Sequence, residues 1–257
     1  MNACSNQQLD TLRQMADIPY FGKRRCGFQC DNQQVDLFRR ASARTILNCS
    51  RQTGKSTAAA LKAVHTAYFQ PNATILVTAP SKNQTREFLR KVRNLAIVAG
   101  FATRGDKFTV TLKNGSRIVG VAANEDTIRC YSAIALVIID EASRVKDDVY
   151  YAILPMLATS MGGIWLLSTP KGKRGFFHAE WASPPSANRN ESWVRLKVKA
   201  EDCPRISTEF LNAQKRRLGE RRFAQEYECY FVDLAQGLFN PDVVRRAFTA
   251  DVMPFEF

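Results

Sequence analysis

The chain has 257 residues, 45% of them hydrophobic, and a formal net charge of +13 with an isoelectric point near 9.7. This length suits one large α/β domain, or one domain with a small appendage, and the composition excludes a disordered chain. The charge is unusual for a metabolic enzyme and favours a polyanionic partner such as nucleic acid; a basic protein without such a partner is the alternative.

The sequence has no run of 18 apolar residues, and its N-terminus lacks a signal-peptide core, so we expect a cytoplasmic protein with no membrane partner. Its seven cysteines are scattered and odd in number, which argues against a disulfide framework. Cys26 and Cys30 are close together, but no second Cys or His pair completes a zinc site. A structural metal is therefore not expected.

The N-terminal third begins with helical patterns. Residues 1–33 show weak periodicity and predict a helix and an arm, and the segment from Gln33 to Arg40 predicts a helix that leads into the first core strand. A glutamine upstream of a phosphate-binding loop can recognise adenine, because its amide both donates and accepts hydrogen bonds. Gln33 and Gln34 are adjacent, and solvated glutamines on a helix surface are the simpler alternative.

The segment from Thr45 to Thr57 predicts a buried strand, a polar loop and the start of a helix, which is the context of a phosphate-binding loop. Gly54 lets the backbone approach phosphate, Lys55 reaches the β- and γ-phosphates, and the Ser56 hydroxyl completes a Mg²⁺ shell. The usual first Gly is replaced by Cys49, and a chance match is the alternative. The predicted nucleotide-binding residues are Ser50, Arg51, Gln52, Thr53, Gly54, Lys55, Ser56 and Thr57.

Three elements are predicted after this helix. Residues 73–79 form a β-branched run that predicts a second buried strand, and residues 83–99 carry apolar positions at helical spacing. The segment from Phe108 to Val121 alternates on both sides of Asn114-Gly115, which predicts a hairpin with a two-residue turn.

A second part of the site is predicted where the apolar run 135–139 ends in Asp140 and Glu141. A carboxylate at the carboxyl end of a buried parallel strand lies beside the phosphate loop and can hold Mg²⁺, and an adjacent Glu can orient and deprotonate the attacking water. A strand end that merely meets solvent is the alternative, but Lys55 and Ser56 upstream favour the nucleotide site.

The rest of the chain continues the alternation of helices and strands. Residues 147–157 predict a helix, residues 163–167 a buried strand that ends in Ser168-Thr169-Pro170, and residues 193–198 another strand. The hydroxyls of Ser168 and Thr169 are placed to sense the γ-phosphate. This alternation predicts an α/β fold with an open, mostly parallel sheet.

Three connecting and C-terminal segments complete the prediction. A basic, glycine-rich loop follows Pro170, residues 183–190 predict a surface loop, and the sequence from Ser207 onward predicts a small helical subdomain packed over the nucleotide. We therefore divide the chain into an ATPase core at residues 1–200, with its N-terminal helical arm, and a lid subdomain with a linker at residues 201–257.

Four motifs in this order resemble the large terminase subunit of tailed bacteriophages. They are Ser50-Arg-Gln-Thr-Gly-Lys-Ser; Thr127-Ile-Arg-Cys-Tyr-Ser-Ala with the following Val-Ile-Ile-Asp-Glu-Ala; Leu167-Ser-Thr-Pro-Lys-Gly with Gly-Phe-Phe and Trp181; and Phe223-Ala-Gln-Glu-Tyr-Glu-Cys with Gly237-Leu-Phe. The resemblance covers about residues 30 to 240. It implies a P-loop ATPase of the additional-strand, catalytic-glutamate class, which uses ATP and Mg²⁺ to move double-stranded DNA into a procapsid.

The resemblance also implies partners and a location. These are a homo-oligomeric ring, a portal protein, a small terminase subunit, and the cytoplasm of a bacterial host with transient docking on the procapsid. Large terminases usually continue into a nuclease domain with clustered acidic residues, whereas this chain ends about 20 residues after Gly237-Leu-Phe. DNA cleavage is therefore not expected of this chain.

Matching the motifs implies individual roles. Lys55 and Ser56 hold phosphate and Mg²⁺, Asp140 supports Mg²⁺, and Glu141 is the catalytic base. Ser168 and Thr169 resemble the coupling motif that links hydrolysis to movement. Gln34 matches the adenine-reading glutamine, with Gln33 as a near alternative. Replacement of the first loop Gly is common among terminases, whereas Cys130 departs from the Gly that usually follows the arginine at position 129.

Arg129 is predicted to act in trans on a neighbouring subunit's nucleotide. It lies ahead of the strand that delivers the carboxylates, and that strand starts at the far side of the sheet from its own site. Terminases have an Arg at this place. Arg51, inside the phosphate loop, could instead supply a positive charge in cis, and a simple surface ion pair of Arg129 is the third possibility.

Two other functions compete with the packaging motor. A helicase-type translocase shares these motifs but needs a second RecA-like domain, for which the sequence has no counterpart. A basic nucleic-acid-binding module with a vestigial nucleotide site is the other alternative, and the intact Lys55, Ser56, Asp140 and Glu141 argue against it.

Overall fold

The computed structural model describes residues 6–158, 160–185 and 192–232. In these ranges the helices are α1 (Asn6–Ala16), α2 (Ile18–Cys26), α3 (Asn32–Arg40), α4 (Lys55–Phe69), α5 (Lys82–Val98), α6 (Glu125–Ile128), α7 (Asp147–Ala158), α8 (Gly175–Ala182) and α9 (Thr208–Glu226). The strands are β1 (Arg44–Cys49), β2 (Thr74–Ala79), β3 (Ala102–Arg104), β4 (Thr109–Leu112), β5 (Arg117–Ala122), β6 (Ile134–Asp140), β7 (Gly163–Ser168) and β8 (Val194–Val198).

The strands form one sheet in the order β3-β4-β5-β2-β6-β7-β1-β8. The six strands from β5 to β8 in this order are parallel, and β3 and β4 extend the sheet in antiparallel pairing. Strand β7 lies between β1, which leads into the phosphate loop, and β6, which ends in the carboxylates. The predicted fold class, an α/β P-loop NTPase fold with an additional strand between these two, is confirmed.

Helices cover both faces of the sheet. Helices α2 to α5 pack on one face, and α6 to α8 pack on the other. Along β6 the side chains alternate accordingly, because successive residues of a strand point to opposite faces. Leu136 and Ile138 join the first layer, while Val137 and Ile139 join the second. Burial on both faces explains why the central strands read as continuous apolar runs in the sequence.

The predicted strands and helices of the core agree with the structure to within a few residues, but two local predictions were wrong. The N-terminal arm is a second helix, because the Asp17 side chain accepts the Tyr20 N–H and starts α2. The hairpin turn has three residues rather than two, since the Leu112 N–H donates to the Ser116 carbonyl. The helical pattern predicted from Ser207 onward forms α9, which is interrupted at Gly219 with φ and ψ of 72° and 165°.

Two predicted segments lie partly or wholly outside the described residues. They are residues 186–190 of the predicted surface loop and the Gly237-Leu-Phe motif. No helix in the described ranges is long and apolar enough to cross a bilayer. The six cysteines in these ranges are free thiols, and no cluster of three or more potential metal-binding side chains occurs there.

Candidate nucleotide site

The phosphate loop joins the end of β1 to the start of α4, as the sequence predicts. Gly54 has a φ of +80°, and a Cβ at this position would lie 2.8 Å from Nε2 of Gln34 and 3.1 Å from Nη2 of Arg205. A side chain here would therefore be both strained and crowded. Gln52 also has a positive φ, of 65°. The loop is thus folded tightly at the position where phosphate is expected to bind.

Two long-range contacts hold the loop from the C-terminal part of the chain. Nη2 of Arg205 donates to the Thr53 carbonyl at 2.9 Å, and Nε of Arg51 lies 2.7 Å from a carboxylate oxygen of Glu226. Within the loop, the buried Thr53 hydroxyl donates to the Ser50 carbonyl at 3.1 Å. Neither contact was expected from the sequence, because each joins residues about 150 positions or more apart; Arg205 belongs to no motif, and the motif that contains Glu226 did not indicate a contact with the loop.

Ser56 and Asp140 meet as predicted. The Ser56 hydroxyl donates to Oδ2 of Asp140 at 2.9 Å, although the two residues are 84 positions apart. Asp140 is only 7% exposed, and its burial raises the pKa of its carboxyl, while Lys55 and Ser56 oppose that shift. A buried carboxylate beside a hydroxyl oxygen forms the kind of hard oxygen donor set that Mg²⁺ prefers. The residues therefore fit a magnesium ion.

Glu141 lies between two cationic side chains. One carboxylate oxygen is 3.1 Å from Nζ of Lys55, and the other is 3.6 Å from Nε of Arg144. Its backbone is left-handed, with φ 52° and ψ 42°, a conformation that is costly for a residue with a Cβ atom and that occurs preferentially at functional sites. The structure thus brings together Lys55 and Glu141 and adds Arg144, which the sequence analysis missed.

The two predicted coupling residues, Ser168 and Thr169, are buried, and their hydroxyls form hydrogen bonds with neighbouring segments. The Thr169 hydroxyl donates to the Cys49 carbonyl at 3.0 Å, so it ties the end of β7 to the start of the phosphate loop. The Ser168 hydroxyl lies 2.8 Å from the hydroxyl of Ser143, which follows Glu141 by two residues. These hydroxyls therefore link the phosphate loop to the segment that carries the carboxylates.

The two glutamines of α3 both lie behind the phosphate loop but differ in their hydrogen bonds. Oε1 of Gln34 accepts the Asp31 N–H at 3.1 Å, and the Gln34 N–H donates to Oδ1 of Asp31 at 2.9 Å, which is a capping box. The side-chain amide of Gln33 is buried, and both of its polar atoms lack a hydrogen-bond partner among the described residues. Together with Thr53 and Lys55, both glutamines line a small cavity.

Arg129 lies on the connection between β5 and β6, directly after α6. Its side chain is 66% exposed, and its guanidinium pairs with Glu125 one turn earlier. It borders a groove whose other wall is α7, including Asp148 and the exposed Tyr151. Arg129 is therefore presented at the surface, with an acidic partner from its own short helix.

Two segments expose basic side chains: the predicted basic loop after Pro170, and helix α9. Lys173 and Arg174 are exposed in the loop before α8, and α9 exposes the basic side chains of Lys215, Arg216, Arg217, Arg221 and Arg222. The Gly172 N–H in the first of these segments donates to the side chain of Gln225 at 3.2 Å. The loop after β7 and the last turn of α9 are therefore in direct contact.

Comparison with known proteins places this geometry in context. The family model described as "Terminase large subunit, T4likevirus-type, N-terminal" matches residues 46–245. The ATPase domain of the Thermus phage P74-26 large terminase aligns with a TM-score of 0.68 at 20% identity, covering 90% of this chain and 100% of that one.

Two further solved structures are similar. The large terminase of a thermophilic bacteriophage, in complex with ADP, has a TM-score of 0.66 at 12% identity and covers 79% of this chain. The HK97 bacteriophage large terminase has a TM-score of 0.56 at 18% identity and covers 65% of this chain. The chain spans 54% of the ADP-bound terminase and 40% of the HK97 protein. At these identities the solved structures establish the shared fold.

Proposed function

Because the chain belongs to the family of phage large terminase subunits, whose N-terminal region it matches, we propose that it hydrolyses ATP to move double-stranded viral DNA into a procapsid. The observation that carries the proposal is the meeting of the phosphate loop with the end of β6. There Ser56 contacts Asp140 at 2.9 Å and Lys55 contacts Glu141 at 3.1 Å. A phosphate-binding lysine, two carboxylates and a hydroxyl are the groups that ATP hydrolysis requires.

Each group has a role in this proposal. Backbone N–H groups of the loop and the start of α4 bind the phosphates, and Lys55 neutralises their charge. Ser56 and Asp140 would hold Mg²⁺, which stabilises negative charge on the phosphates when bound. Glu141 takes the proton of the attacking water. Before nucleotide binds, Lys55 is paired with Glu141, so phosphate binding frees that carboxylate for water.

The adenine is assigned to the glutamines behind the loop. The amide oxygen of Gln34 already accepts the Asp31 N–H in the capping box, so binding of adenine through that oxygen would compete with this bond. The buried side-chain amide of Gln33 forms no hydrogen bond among the described residues, which supports Gln33 as the alternative adenine-binding residue. Arg205 and Glu226, which contact the loop, support the assignment of residues 201–257 to a lid over a core formed by residues 1–200.

The proposed partners follow from the charge and the family. Duplex DNA is assigned to the basic surface of the loop before α8 and of α9, in keeping with a net charge of +13. A homo-oligomeric ring, a portal protein and a small terminase subunit are the proposed protein partners. The proposed location is the bacterial cytoplasm, with transient docking on the procapsid.

The test of this function is ATP turnover measured with and without duplex DNA of unrelated sequences. We expect Mg²⁺-dependent hydrolysis, and binding to duplex DNA that is independent of sequence and weakens steeply as salt rises, because counterion release drives it. A helicase-type translocase would instead prefer single strands and unwind duplex, and a vestigial site would give DNA binding without turnover. Either result would contradict the proposed packaging motor and favour the corresponding alternative.

Arg129 is proposed to complete the neighbour's site in the ring. Its exposure, and the pairing of Glu141 with Lys55 and Arg144 rather than with Arg129 among the described residues, support action in trans, whereas Arg51, paired with Glu226, is the rival in cis. Arg129→Ala and Glu141→Gln subunits should each be inactive, since an arginine finger contributes about 10³–10⁵ in rate. Mixed rings should recover part of the activity. Mixed rings that stay inactive would assign Arg129 to a cis or structural role.

A further inference from the structure

A short 3₁₀ turn, Ala142–Arg144, follows Glu141 and contains a serine that no predicted motif includes. The Ser143 hydroxyl donates to the Thr169 carbonyl at 2.8 Å and lies 2.8 Å from the Ser168 hydroxyl. The backbone N–H of Ser143 also donates to the Ser168 hydroxyl, at 3.2 Å. One residue therefore makes three hydrogen bonds to the two predicted coupling residues.

These bonds are placed where the backbone needs support. Glu141 has a left-handed backbone, which places its carboxylate beside Lys55 but is unfavourable for a residue with a Cβ atom. Such a conformation persists only where the surrounding structure fixes it. The turn after Glu141 is fixed on one side by its own Arg144 N–H, which donates to the Glu141 carbonyl at 2.9 Å, and on the other by Ser143.

The same bonds continue to the phosphate loop. Thr169, whose carbonyl accepts from Ser143, donates its own hydroxyl to the Cys49 carbonyl at 3.0 Å. Ser168 and Thr169 are almost fully buried, at 0% and 1% exposure, so water does not compete for these bonds. A continuous path of hydrogen bonds thus joins the turn after Glu141, the end of β7 and the start of the loop.

We propose that Ser143 is a positioning residue, which fixes the backbone of Glu141 and couples it through Ser168 and Thr169 to the phosphate loop. This inference rests on the proposed role of Glu141 as the base. Ser143 contacts neither the phosphate-binding lysine nor Asp140 among the described hydrogen bonds, so it acts on turnover rather than on nucleotide binding.

The chain contains a matched control at the opposite end of the same strand. The Ser160 hydroxyl donates to the carbonyl of Ile134, the first residue of β6, at 2.6 Å, and accepts the Gly162 N–H at 3.3 Å. Ser143, just after β6, bonds to the end of β7, and Ser160, just before β7, bonds to the start of β6. The two serines therefore connect the same pair of strands at opposite ends. If Ser143 serves only stability, its substitution should affect kcat and melting temperature as the substitution of Ser160 does. If Ser143 is a positioning residue, its substitution should lower kcat more.

The test compares Ser143→Ala, Ser143→Thr and Ser160→Ala for ATP turnover, for ATP affinity by calorimetry and for melting temperature. Ser143→Ala should lower kcat by about 10- to 100-fold, since two side-chain hydrogen bonds are lost and each corresponds to a factor of about 3–10. Its ATP affinity should stay within about twofold of the parent, because the phosphate-binding groups are untouched. Ser143→Thr, which keeps the hydroxyl, should restore most of kcat, and Ser160→Ala should keep it.

Two results would overturn the inference. One is parent-like kcat in folded Ser143→Ala, and the other is a loss of kcat that Ser160→Ala matches at an equal loss of melting temperature. If Ser143→Ala does not fold, Ser143→Cys, which preserves the side-chain volume, gives the same comparison. Glu141→Gln is assayed in parallel, because full activity in that variant would refute the proposed base itself rather than the role of Ser143.

Discussion

The two ends of helix α4 are built from different chemistry. At its start, the side chains of Lys55 and Ser56 contact carboxylates that arrive from the end of β6. At its end, the side-chain amide of Asn114 donates to the carbonyls of Ala67 and Tyr68, at 2.8 and 3.0 Å. The first end brings together groups that can bind and transform a ligand, whereas the second satisfies backbone carbonyls that would otherwise lack partners.

The surroundings of the two ends differ in the same way. The last turns of α4 carry His65, whose ring centroid is 5.1 Å from that of Phe21 and 4.8 Å from that of Phe69. This aromatic cluster buries apolar surface and uses no opposed charges. One helix therefore serves stability at one end and chemistry at the other, so substitutions at the two ends should separate these properties.

The largest expected effect is at the amino end. Glu141→Gln keeps the shape of the side chain but cannot accept the proton of water, so turnover should fall by about 10²–10⁴ while ATP still binds. Steady-state hydrolysis and calorimetry measure the two quantities separately. Glu87→Gln, an exposed position on α5, is the control and should leave both at the parent level. Hydrolysis by Glu141→Gln at the parent rate would place the base elsewhere.

The next effect concerns the pH dependence of stability at the other end. Burial, with a smaller contribution from Lys62, lowers the pKa of His65 to about 4 from the ordinary 6.5, against the backbone carbonyls of Gln14 and Met15. Between these two pH values the unfolded chain therefore binds a proton at His65 that the folded chain does not. The stability that depends on the neutral, buried His65 ring is fully present above pH 6.5 and is lost as the pH falls to about 4. Its size is about 3 kcal/mol, since one pKa unit corresponds to about 1.4 kcal/mol.

Denaturant unfolding from about pH 7 to pH 4 measures this contribution. The stability difference between the parent and His65→Gln should shrink as the pH falls through that window. A difference that stays constant with pH would show that His65 does not bind its proton as its burial requires.

The smallest effect is the loss of the carboxyl-terminal cap of α4. Asn114→Ala removes two hydrogen bonds to helix carbonyls and should lower the free energy of unfolding by about 1–2 kcal/mol. Each kcal/mol corresponds to a decrease of about 2–4 °C in the melting temperature. ATP turnover below the melting temperature should be unchanged. Asn94→Ala, an exposed residue of α5, should change stability by less than about 0.5 kcal/mol. Reduced turnover in folded Asn114→Ala would mean that the two ends are not independent.

The sequence predicts this division unevenly. The site at the amino end of α4 was predictable because Gly54, Lys55 and Ser56 are contiguous, and because an apolar run predicts the strand that ends in Asp140. The other end was predicted only as a helix, since the capping Asn114 comes from a hairpin 47 residues after Ala67. In general, elements with strong local periodicity were found, and contacts between distant segments were not.

The same reasoning explains which site residues the sequence missed. Ser143, Arg144 and Arg205 belong to no motif, and their roles depend on the path of the chain after a strand or on a return from the C-terminal segment. The burial of Ser168 and Thr169 was also not predictable, because a strand end can face either solvent or another loop. The distinction between Gln33 and Gln34 depends on one capping box, which becomes evident only in three dimensions.

The most direct test of the nucleotide site is calorimetric titration of ATP with Mg²⁺ into the parent, Lys55→Ala and Lys62→Ala. Both lysines lie on α4, but Lys62 is about two turns beyond the loop and packs near the Trp165 ring, with its ammonium nitrogen 5.9 Å from the ring centroid. We predict that Lys62→Ala binds ATP like the parent and that Lys55→Ala shows no measurable binding, because several phosphate charges lose their principal cation. Parent-like affinity in Lys55→Ala would contradict the assignment of this loop as the nucleotide site.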